Sequence, residues 1–439
     1  MIVLTYADSL KSTLDDIIRE MATNPSLFAK NPQTDFTRDR KLGFDKLVHL
    51  LLGMRGNSIN KELYDYFKDD ELMTSSAFVQ QRDKLLPEAM EYLLHEFNAQ
   101  CNDTKTYEGY RLYAVDGTDV NIAKNPDIDS YVENGQNEGY NQLHVNALYD
   151  LLNKFYVDAI IQPRPKMYEV KAAIDMIKRN SLSDKTILIA DRGYGSMNLM
   201  EHIHRTENLE YLIRVKNDYI KEIKALPMKE LDTTITIELR TTQTNEDKLL
   251  YEQGKAKWIS GPSKFGKEKK GITWDFESPF TMTLRVVRFK ITDNTYETIV
   301  TSLNRFAFPV NKIKELYHLR WGIETSFREL KYAIGLVNFH AKKEDFIKQE
   351  IFARLIMYNF CERITLHVVI KQSEENKWVY QANFTMGIHI CVDFFRHKGK
   401  EPPDVEKLIS HYILPIREGR ADVRKLKPKS AVFFLYRVA

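Results

Sequence analysis

The sequence predicts an α/β protein in which a mixed sheet is flanked by helices, with a helical domain before it and a β subdomain inserted into it. Apolar residues recur at helical spacing through residues 1–105. Residues 106–219 change to three strand-like runs, then helix, strand, helix and strand. Strand-like runs separated by polar turns fill residues 220–305, and helical periodicity returns at 306–372. A weakly patterned C-terminal region, residues 373–439, completes the division of the chain.

Composition favours a globular protein without a membrane segment. The 439 residues are 43% apolar and 28% charged, which suits about three domains with their own cores. The start of the chain lacks a signal-peptide pattern, and the most apolar late run, FARLIMYNFCERITLHVVI, is interrupted by charged residues. We therefore expect a buried helix there and a cytoplasmic, nucleoid-associated protein. Three distant cysteines predict neither a disulfide framework nor a zinc site.

The N-terminal domain at residues 1–105 is a candidate DNA-binding module. Its helical runs include GFDKLVHLLLGM and SSAFVQQRDKLLPEAMEYLLHEFNAQ, the second with Ser75 or Ser76 as N-cap. Its cations could contact DNA or could simply be exposed on a helical cap: Lys41, Lys46, Arg55, Lys61, Arg82 and Lys84. The net charge of +3 does not decide between these readings.

The strands of the core and of the insertion are predicted from alternating apolar residues between turn residues. The core runs are GYRLYAVDGTDV, QLHVNALYDLL, KFYVDAIIQP, KTILIADRGYGS and EYLIRVKN, with helices at EVKAAIDMIKRN and SMNLMEHIHR. The insertion runs are TTITIELRTT, YEQGKAKWIS, TMTLRVVRFKIT and YETIVTSL. One continuous helix is predicted at NKIKELYHLRWGIETSFRELKYAIGL.

Two local basic clusters could contact phosphates or could be a solvated loop and tail. They are KFGKEKKG at Lys264–Gly271 and REGRADVRKLKPK at Arg417–Lys429.

Two aspartates end predicted strands of the core. Asp116 follows RLYAV within DGTD, and Asp191 follows TILIA immediately before RGYG. Side chains at strand ends in an αβ sheet lie at the rim where ligands bind. The alternative is that both are ordinary turn or cap aspartates, since aspartate beside glycine is common in turns.

The segment YHLRWGIETSFRELK, residues 317–331, carries a narrow polar stripe beside an apolar face. At about 100° per residue, Arg320, Glu324 and Lys331 fall within roughly 60° of Tyr317. Arg328 lies at the edge of this stripe. The alternative is that Arg320, Glu324 and Arg328 form simple i,i+4 ion pairs of a few tenths of a kcal/mol.

Asp116, Asp191 and Glu324 together can form one oxygen-rich site. Hard divalent ions such as Mg²⁺ prefer carboxylate oxygens. A pair of such ions can activate an attacking oxygen on one side of a phosphorus and stabilise the departing oxygen on the other. Three cations and a tyrosine hydroxyl on the same helix face would then hold the flanking phosphates: Arg320, Arg328, Lys331 and Tyr317.

At these residues the sequence resembles the DDE transposases of bacterial insertion sequences, in the subgroup with a Y-(2)-R-(3)-E-(6)-K signature. Tyr317, Arg320, Glu324 and Lys331 match the signature, and DGTD and DRGYG are similar to the first and second aspartate motifs in the right order. The interval before Glu324 is long enough for the β insertion of this subgroup. The resemblance covers about residues 110–370.

The resemblance implies an RNase H-like core in which Asp116, Asp191 and Glu324 hold two Mg²⁺ ions, with Mn²⁺ as a substitute. It implies nicking at the ends of the element, attack of the freed 3′-hydroxyl on target DNA, and a dimeric synaptic complex on double-stranded DNA. Some members form a hairpin and stack a flipped base on a tryptophan of the insertion. Trp258 and Trp274 lie in that region, although each could instead be a buried core residue.

The leading hypothesis is therefore a Mg²⁺-dependent transposase that binds terminal inverted repeats, cleaves the DNA ends and joins them to target DNA. The alternatives are an RNase H-like nuclease without strand transfer and an inactive relative that only binds DNA. The intact set of Asp116, Asp191 and Glu324 argues against the inactive relative.

Overall fold

The structure, a computed structural model, describes most of the chain. The described residues are 5–68, 73–102, 104–135, 137–180, 182–261, 273–293, 295–373, 375–397, 399, 403–416 and 435–436. The two basic clusters, Lys264–Gly271 and Arg417–Lys429, lie outside the described residues.

The N-terminal region is helical, as predicted. Its helices are α1 (Tyr6–Thr23), α2 (Phe44–Gly53), α3 (Ile59–Phe67), α4 (Ser75–Arg82) and α5 (Glu88–Ala99). The predicted N-cap of α4 is wrong by a residue or two, because the Thr74 hydroxyl accepts the hydrogen bond from the Ala77 N–H. Arg82, one of the cations considered for DNA contact, is buried at 1% exposure and pairs with Glu350.

The first part of the core is a mixed sheet with helices packed on it. Its elements are β1 (Arg111–Ile122), β2 (Tyr131–Asn134), β3 (Asn137–Asp150), β4 (Phe155–Pro163), α6 (Glu169–Arg179), β5 (Thr186–Ala190), α7 (Met197–His204) and β6 (Leu209–Val215). β3 pairs antiparallel with β1, β2 and β4, whereas β5 pairs parallel with both β1 and β6. The strand order β4-β3-β1-β5-β6, antiparallel first and parallel afterwards, is the mixed sheet that the sequence predicts.

The inserted strands extend this same sheet. The elements are α8 (Lys221–Lys224), β7 (Leu231–Arg240), α9 (Asn245–Glu252), β8 (Lys257–Trp258), β9 (Phe280–Thr292) and β10 (Thr295–Thr301). β10 pairs antiparallel with β6, and β9, β7 and β8 follow, so that the sheet has ten strands. The strand predicted at YEQGKAKWIS is wrong in its first part, because a capping box of Thr244 and Asp247 starts a helix that runs to Glu252.

The last part of the chain returns to helices and places a long helix against the core. Its elements are α10 (Val310–Leu319), α11 (Trp321–Tyr332), β11 (Asn338–Phe339), α12 (Glu344–His367), β12 (Val379–Ala382), α13 (Phe384–Arg396), α14 (Val405–His411), β13 (Ile413–Ile416) and β14 (Leu435–Tyr436). α12 is buried along nearly its whole length, which confirms the buried helix expected there. In the described part of the chain, we find no helix with the length and apolar character that a bilayer crossing requires.

The single helix predicted across residues 317–331 is wrong, because α10 ends at Leu319 and α11 begins at Trp321. Arg320 keeps helical dihedral angles, but the N–H of Arg320 bonds to the Tyr317 carbonyl three residues back. The two helices pack in different hydrophobic clusters. Leu316 and Tyr317 pack with β5, β6 and β9, whereas α11 packs with β1, β4 and α12. The break lets each helix turn its apolar face to its own cluster.

Candidate active site

Strand register brings Asp116 and Asp191 together. The prediction that Asp116 ends a strand is wrong, because β1 continues through it to Ile122 and stays paired with β3. The neighbouring strand β5 does end here, at Ala190, and Ala190 pairs in parallel with Val115. The residues that follow this pair are the two aspartates, so Asp116 and Asp191 lie next to each other where the two strands separate.

Arg320 connects Glu324 to Asp116. Its Nη2 donates to Glu324 Oε1 at 2.7 Å, and its Nη1 lies 3.6 Å from Asp116 Oδ2. The guanidinium also packs over the Trp321 ring, 5.1 Å from the centroid, and Arg320 is only 4% exposed. The i,i+4 ion pair of Arg320 with Glu324 therefore exists, but it is part of a cluster that includes a strand residue.

The carboxylates repel one another. Burial raises the pKa of Asp116 to about 6, and the charges of Asp191 and Glu324 add to the rise, while the Gly117 N–H and Arg320 oppose it. One arginine does not compensate three carboxylates at this point. The donor set of hard oxygens with excess negative charge fits a divalent cation such as Mg²⁺.

A different group of side chains has the tightest convergence of ligand atoms. Among the described residues, Glu91, His95 and Asp158 form the one set of three whose ligand atoms lie within 4.8 Å of one another. Arg179 donates to Asp158 Oδ2 at 2.6 Å and to Glu91 Oε1 at 2.6 Å. Because a cation already binds these carboxylates, this group is an ion-pair network.

The other residues of the predicted polar stripe have three different environments. Tyr317 is buried at 4% exposure in the cluster of α10, so it does not share an open face with Glu324. Lys331 is half-buried, and its Nζ donates to the Asp119 carbonyl at 2.8 Å. Arg328 is exposed on α11. The structure thus groups Arg320 with the acidic residues and separates Tyr317 from them.

The two tryptophans of the insertion differ in access. Trp258 in β8 is 44% exposed. Trp274 is fully buried, packs against Phe276 and Phe280, and donates its Nε1–H to the Glu277 carbonyl at 2.9 Å. A base could reach the Trp258 ring as it stands, whereas Trp274 would first have to leave the core.

Three further polar side chains beside the aspartates were not identified from the sequence. Asp119 lies opposite His144 in the β1–β3 register, and Glu169 begins α6. Asp119 stands within the DGTD motif, which was the one available signal. His144 and Glu169 carry no local signal, because only pairing and packing bring them to the site.

One protein family and two known proteins are similar to this chain. The transposase DDE domain family matches residues 107–360, which is more than half of the chain. Transposase InsG for insertion sequence element IS4 of Escherichia coli (strain K12) is 22% identical over 426 residues, covering 89% of this chain and 87% of that protein. A cryo-EM structure of the piggyBac transposase synaptic complex with hairpin DNA aligns at 12% identity with a TM-score of 0.43, covering 94% of this chain and 84% of that one.

The matched segment contains the whole of the mixed sheet and both helices that carry the signature. Transposases of this kind move DNA segments, so DNA transposition is the general activity and DNA the substrate. The chain belongs to the transposase DDE domain family of insertion-sequence transposases, with an RNase H-like core.

Proposed function

We propose that this chain cuts the ends of its insertion sequence by Mg²⁺-dependent phosphodiester hydrolysis and joins the freed 3′-hydroxyls to target DNA. The observation that carries the proposal is that Asp116 and Asp191 lie side by side where β1 and β5 separate, while Arg320 links Asp116 to Glu324. Sequence positions far apart in the chain supply these side chains. Catalysis of phosphoryl transfer by positioning and charge needs such a grouping and no covalent nucleophile from the protein.

Asp116, Asp191 and Glu324 would hold the two Mg²⁺ ions, for which Mn²⁺ can substitute. Two bound ions supply activation of the attacking oxygen and stabilisation of the leaving oxygen in an in-line displacement. Arg320 has a positioning role, because its hydrogen bond fixes the Glu324 carboxylate and its charge favours the ionised form of Asp116. All three carboxylates remain partly exposed, so a DNA backbone can approach them.

Cations around the acidic residues would hold the DNA. Lys331 retains two N–H donors beyond its bond to Asp119, and Arg328 is exposed one turn before it. Exposed Trp258 is the better candidate of the two tryptophans for stacking on an extruded base. Tyr317 would act through Arg320, whose guanidinium lies 5.8 Å from the Tyr317 ring centroid.

The remaining regions would supply recognition and assembly. We assign binding of the terminal inverted repeats to the N-terminal domain, residues 1–105, and assembly of two copies with two DNA ends to a homodimeric synaptic complex. The support for the first assignment is the position of this domain against α12, the next helix along the chain after the two that carry the site.

Cleavage of DNA that carries the element's own terminal repeats tests the proposal. The flanking DNA of the gene identifies the repeats, and cut and joined products are measured with Mg²⁺ and with a chelator. We expect Mg²⁺-dependent nicking followed by joining. Nicking without joining would favour the RNase H-like nuclease, and absence of any Mg²⁺-dependent cutting would favour a protein that only binds DNA.

The variant Glu324→Gln separates a metal ligand from a structural residue. It is expected to lose cleavage while retaining its melting temperature and its binding to the terminal repeat, because the amide keeps the shape of the side chain and removes its charge. Glu207→Gln, in the exposed turn after α7, is the matched control and should cut like the unmodified protein. Loss of folding or of DNA binding in Glu324→Gln would contradict the assigned role.

A further inference from the structure

A row of ionisable side chains leads from Asp119 in β1 through His144 in β3 to Glu169 at the start of α6. His144 Nδ1 donates to Asp119 Oδ1 at 2.6 Å. On the other side of the ring, His144 Nε2 lies 3.2 Å from Glu169 Oε1. The imidazole is therefore held between two carboxylates, one on each side of it.

Two glycines of the aspartate motifs make room for this row. A Cβ atom on Gly117 would lie 2.2 Å from His144 Nε2 and 3.0 Å from Glu169 Oε1. A Cβ atom on Gly193 would lie 3.0 Å from Asp191 Oδ1 and 3.6 Å from Glu169 Oε2. A side chain at either glycine would displace these groups. Glu169 thus occupies the space beside both motifs, and its carboxylate faces that of Asp191 across Gly193.

A buried hydroxyl beside Glu169 lacks a partner. The Tyr194 hydroxyl, on a residue 1% exposed, has no hydrogen bond within the described ranges. The charges of Glu169, Asp116 and Asp191 all act on this hydroxyl and, after burial itself, raise the pKa of Tyr194. An unsatisfied buried hydroxyl beside converging carboxylates indicates a place for an ion or its waters.

We propose that Glu169 is a fourth carboxylate of the metal-binding site, and that His144 and Asp119 are positioning residues that hold it there. This inference rests on the proposed function, because it adds a ligand to the metal site proposed there. Glu169 contributes an oxygen, directly or through water, to the divalent cation near Asp116 and Asp191. Asp119 orients the imidazole, and the imidazole restrains the Glu169 carboxylate, as outer partners do in other metal sites.

A purely structural role for Glu169 makes a different prediction. A carboxylate in the first turn of a helix stabilises the helix through its dipole. If that were its whole contribution, removing the charge would lower the melting temperature of the metal-free protein and leave the affinity for metal unchanged. Metal binding and stability must therefore be measured separately.

Mn²⁺ binding to the full-length protein without DNA tests the inference. Binding is measured by calorimetry or by electron paramagnetic resonance of free Mn²⁺, and melting temperatures are measured in chelator. Glu169→Gln is expected to weaken Mn²⁺ binding by about 10- to 100-fold, with little change in the metal-free melting temperature. Asp175→Asn removes a carboxylate from an exposed ion pair on the same helix and is the matched control. It should bind Mn²⁺ like the unmodified protein.

The outcomes distinguish this inference from the proposed function. If Glu324→Gln no longer binds Mn²⁺ while Glu169→Gln binds it with unchanged affinity, Glu169 is not a metal ligand. The site of Asp116, Asp191 and Glu324 is then still supported. If the unmodified protein binds no Mn²⁺, both are overturned. Should Glu169→Gln fail to fold, Glu169→Asp keeps the charge one methylene further back, and unchanged affinity in that variant would count against a direct role. Unchanged affinity in His144→Ala would overturn the positioning role of the imidazole.

Discussion

Two groups of charges, the partly exposed acidic site and the buried ion network under α12, have opposite electrostatics. In the network, Glu350 is 2% exposed and accepts a hydrogen bond from Arg82 Nη1 at 2.9 Å, with His340 Nδ1 3.0 Å from its second oxygen. Burial alone would raise the pKa of Glu350, but Arg82 and His340 outweigh it and lower the pKa to about 2. In the site, burial and neighbouring carboxylates raise the pKa of Asp116 to about 6.

The difference lies in how completely cations compensate the carboxylates. The network joins α4 of the N-terminal region to α12, and its carboxylate is matched by the charge of Arg82 and bonded by His340. The site has an excess of negative charge around a single arginine. A buried carboxylate that the protein itself neutralises contributes to structure, whereas carboxylates left in excess beside one another leave a position for an added cation.

The largest expected effect comes from breaking the matched pair. Arg82→Met should lower the free energy of unfolding by about 3–5 kcal/mol, because it leaves Glu350 buried without its main counter-charge. Urea unfolding measures the change. The double variant Arg82→Met with Glu350→Met should recover much of it, and Arg19→Met, which removes an exposed pair with Asp16, should change it by less than about 1 kcal/mol. A double variant as unstable as the single one would contradict this account of the pair.

Removing a carboxylate that is not matched by a cation should instead increase the free energy of unfolding. In metal-free protein at pH 7, Asp116→Asn should raise the free energy of unfolding by about 1–3 kcal/mol, because the native protein no longer holds an ionised Asp116 in a largely desolvated position beside other carboxylates. DNA cleavage should be lost in the same variant. A destabilised Asp116→Asn protein would show that the Asp116 charge is well compensated after all.

The two carboxylates should also give opposite pH dependences. The folded pKa of Glu350 lies below its ordinary value of 4.5, so its contribution to stability is complete above pH 4.5 and is lost as the pH falls towards 2. The folded pKa of Asp116 lies above its ordinary value of 3.8, so stability falls as the pH rises from 3.8 to about 6. Melting temperatures against pH, in chelator, measure both. The fall in melting temperature between pH 3.8 and 6 should become smaller in Asp116→Asn. A variant with the same pH profile as the unmodified protein would show that Asp116 does not cause this fall.

The smallest expected effect concerns DNA binding beside the site. Lys331→Ala should weaken binding to the terminal repeat and reduce the slope of log affinity against log salt by about 1, as expected for one phosphate contact. Titrations at several salt concentrations measure the slope. Lys331→Arg keeps the charge and should keep the slope. An unchanged slope in Lys331→Ala would show that its bond to the Asp119 carbonyl is its whole role.

Much of the fold followed from local pattern. The order of strands and helices in the core was predicted because alternation and helical periodicity are local properties of the sequence. The strand predicted at YEQGKAKWIS failed where the capping residues Thr244 and Asp247 start a helix instead. The break between α10 and α11 at Arg320 was not predicted, because no proline or glycine cap marks it in the sequence. It follows from the two apolar clusters on which α10 and α11 pack.

The sequence by itself determined the kinds of residue at the site and their spacing, because motifs such as DGTD, DRGYG and the Y-R-E-K signature are readable along one chain. Only the tertiary structure decided which of them meet. The parallel register of β1 and β5 sets Asp116 beside Asp191, and the packing of α10 buries Tyr317 while Arg320 reaches Asp116. Pairing and β3–α6 packing also bring His144 and Glu169 beside them. These arrangements depend on contacts between residues far apart in the chain, which local pattern does not specify.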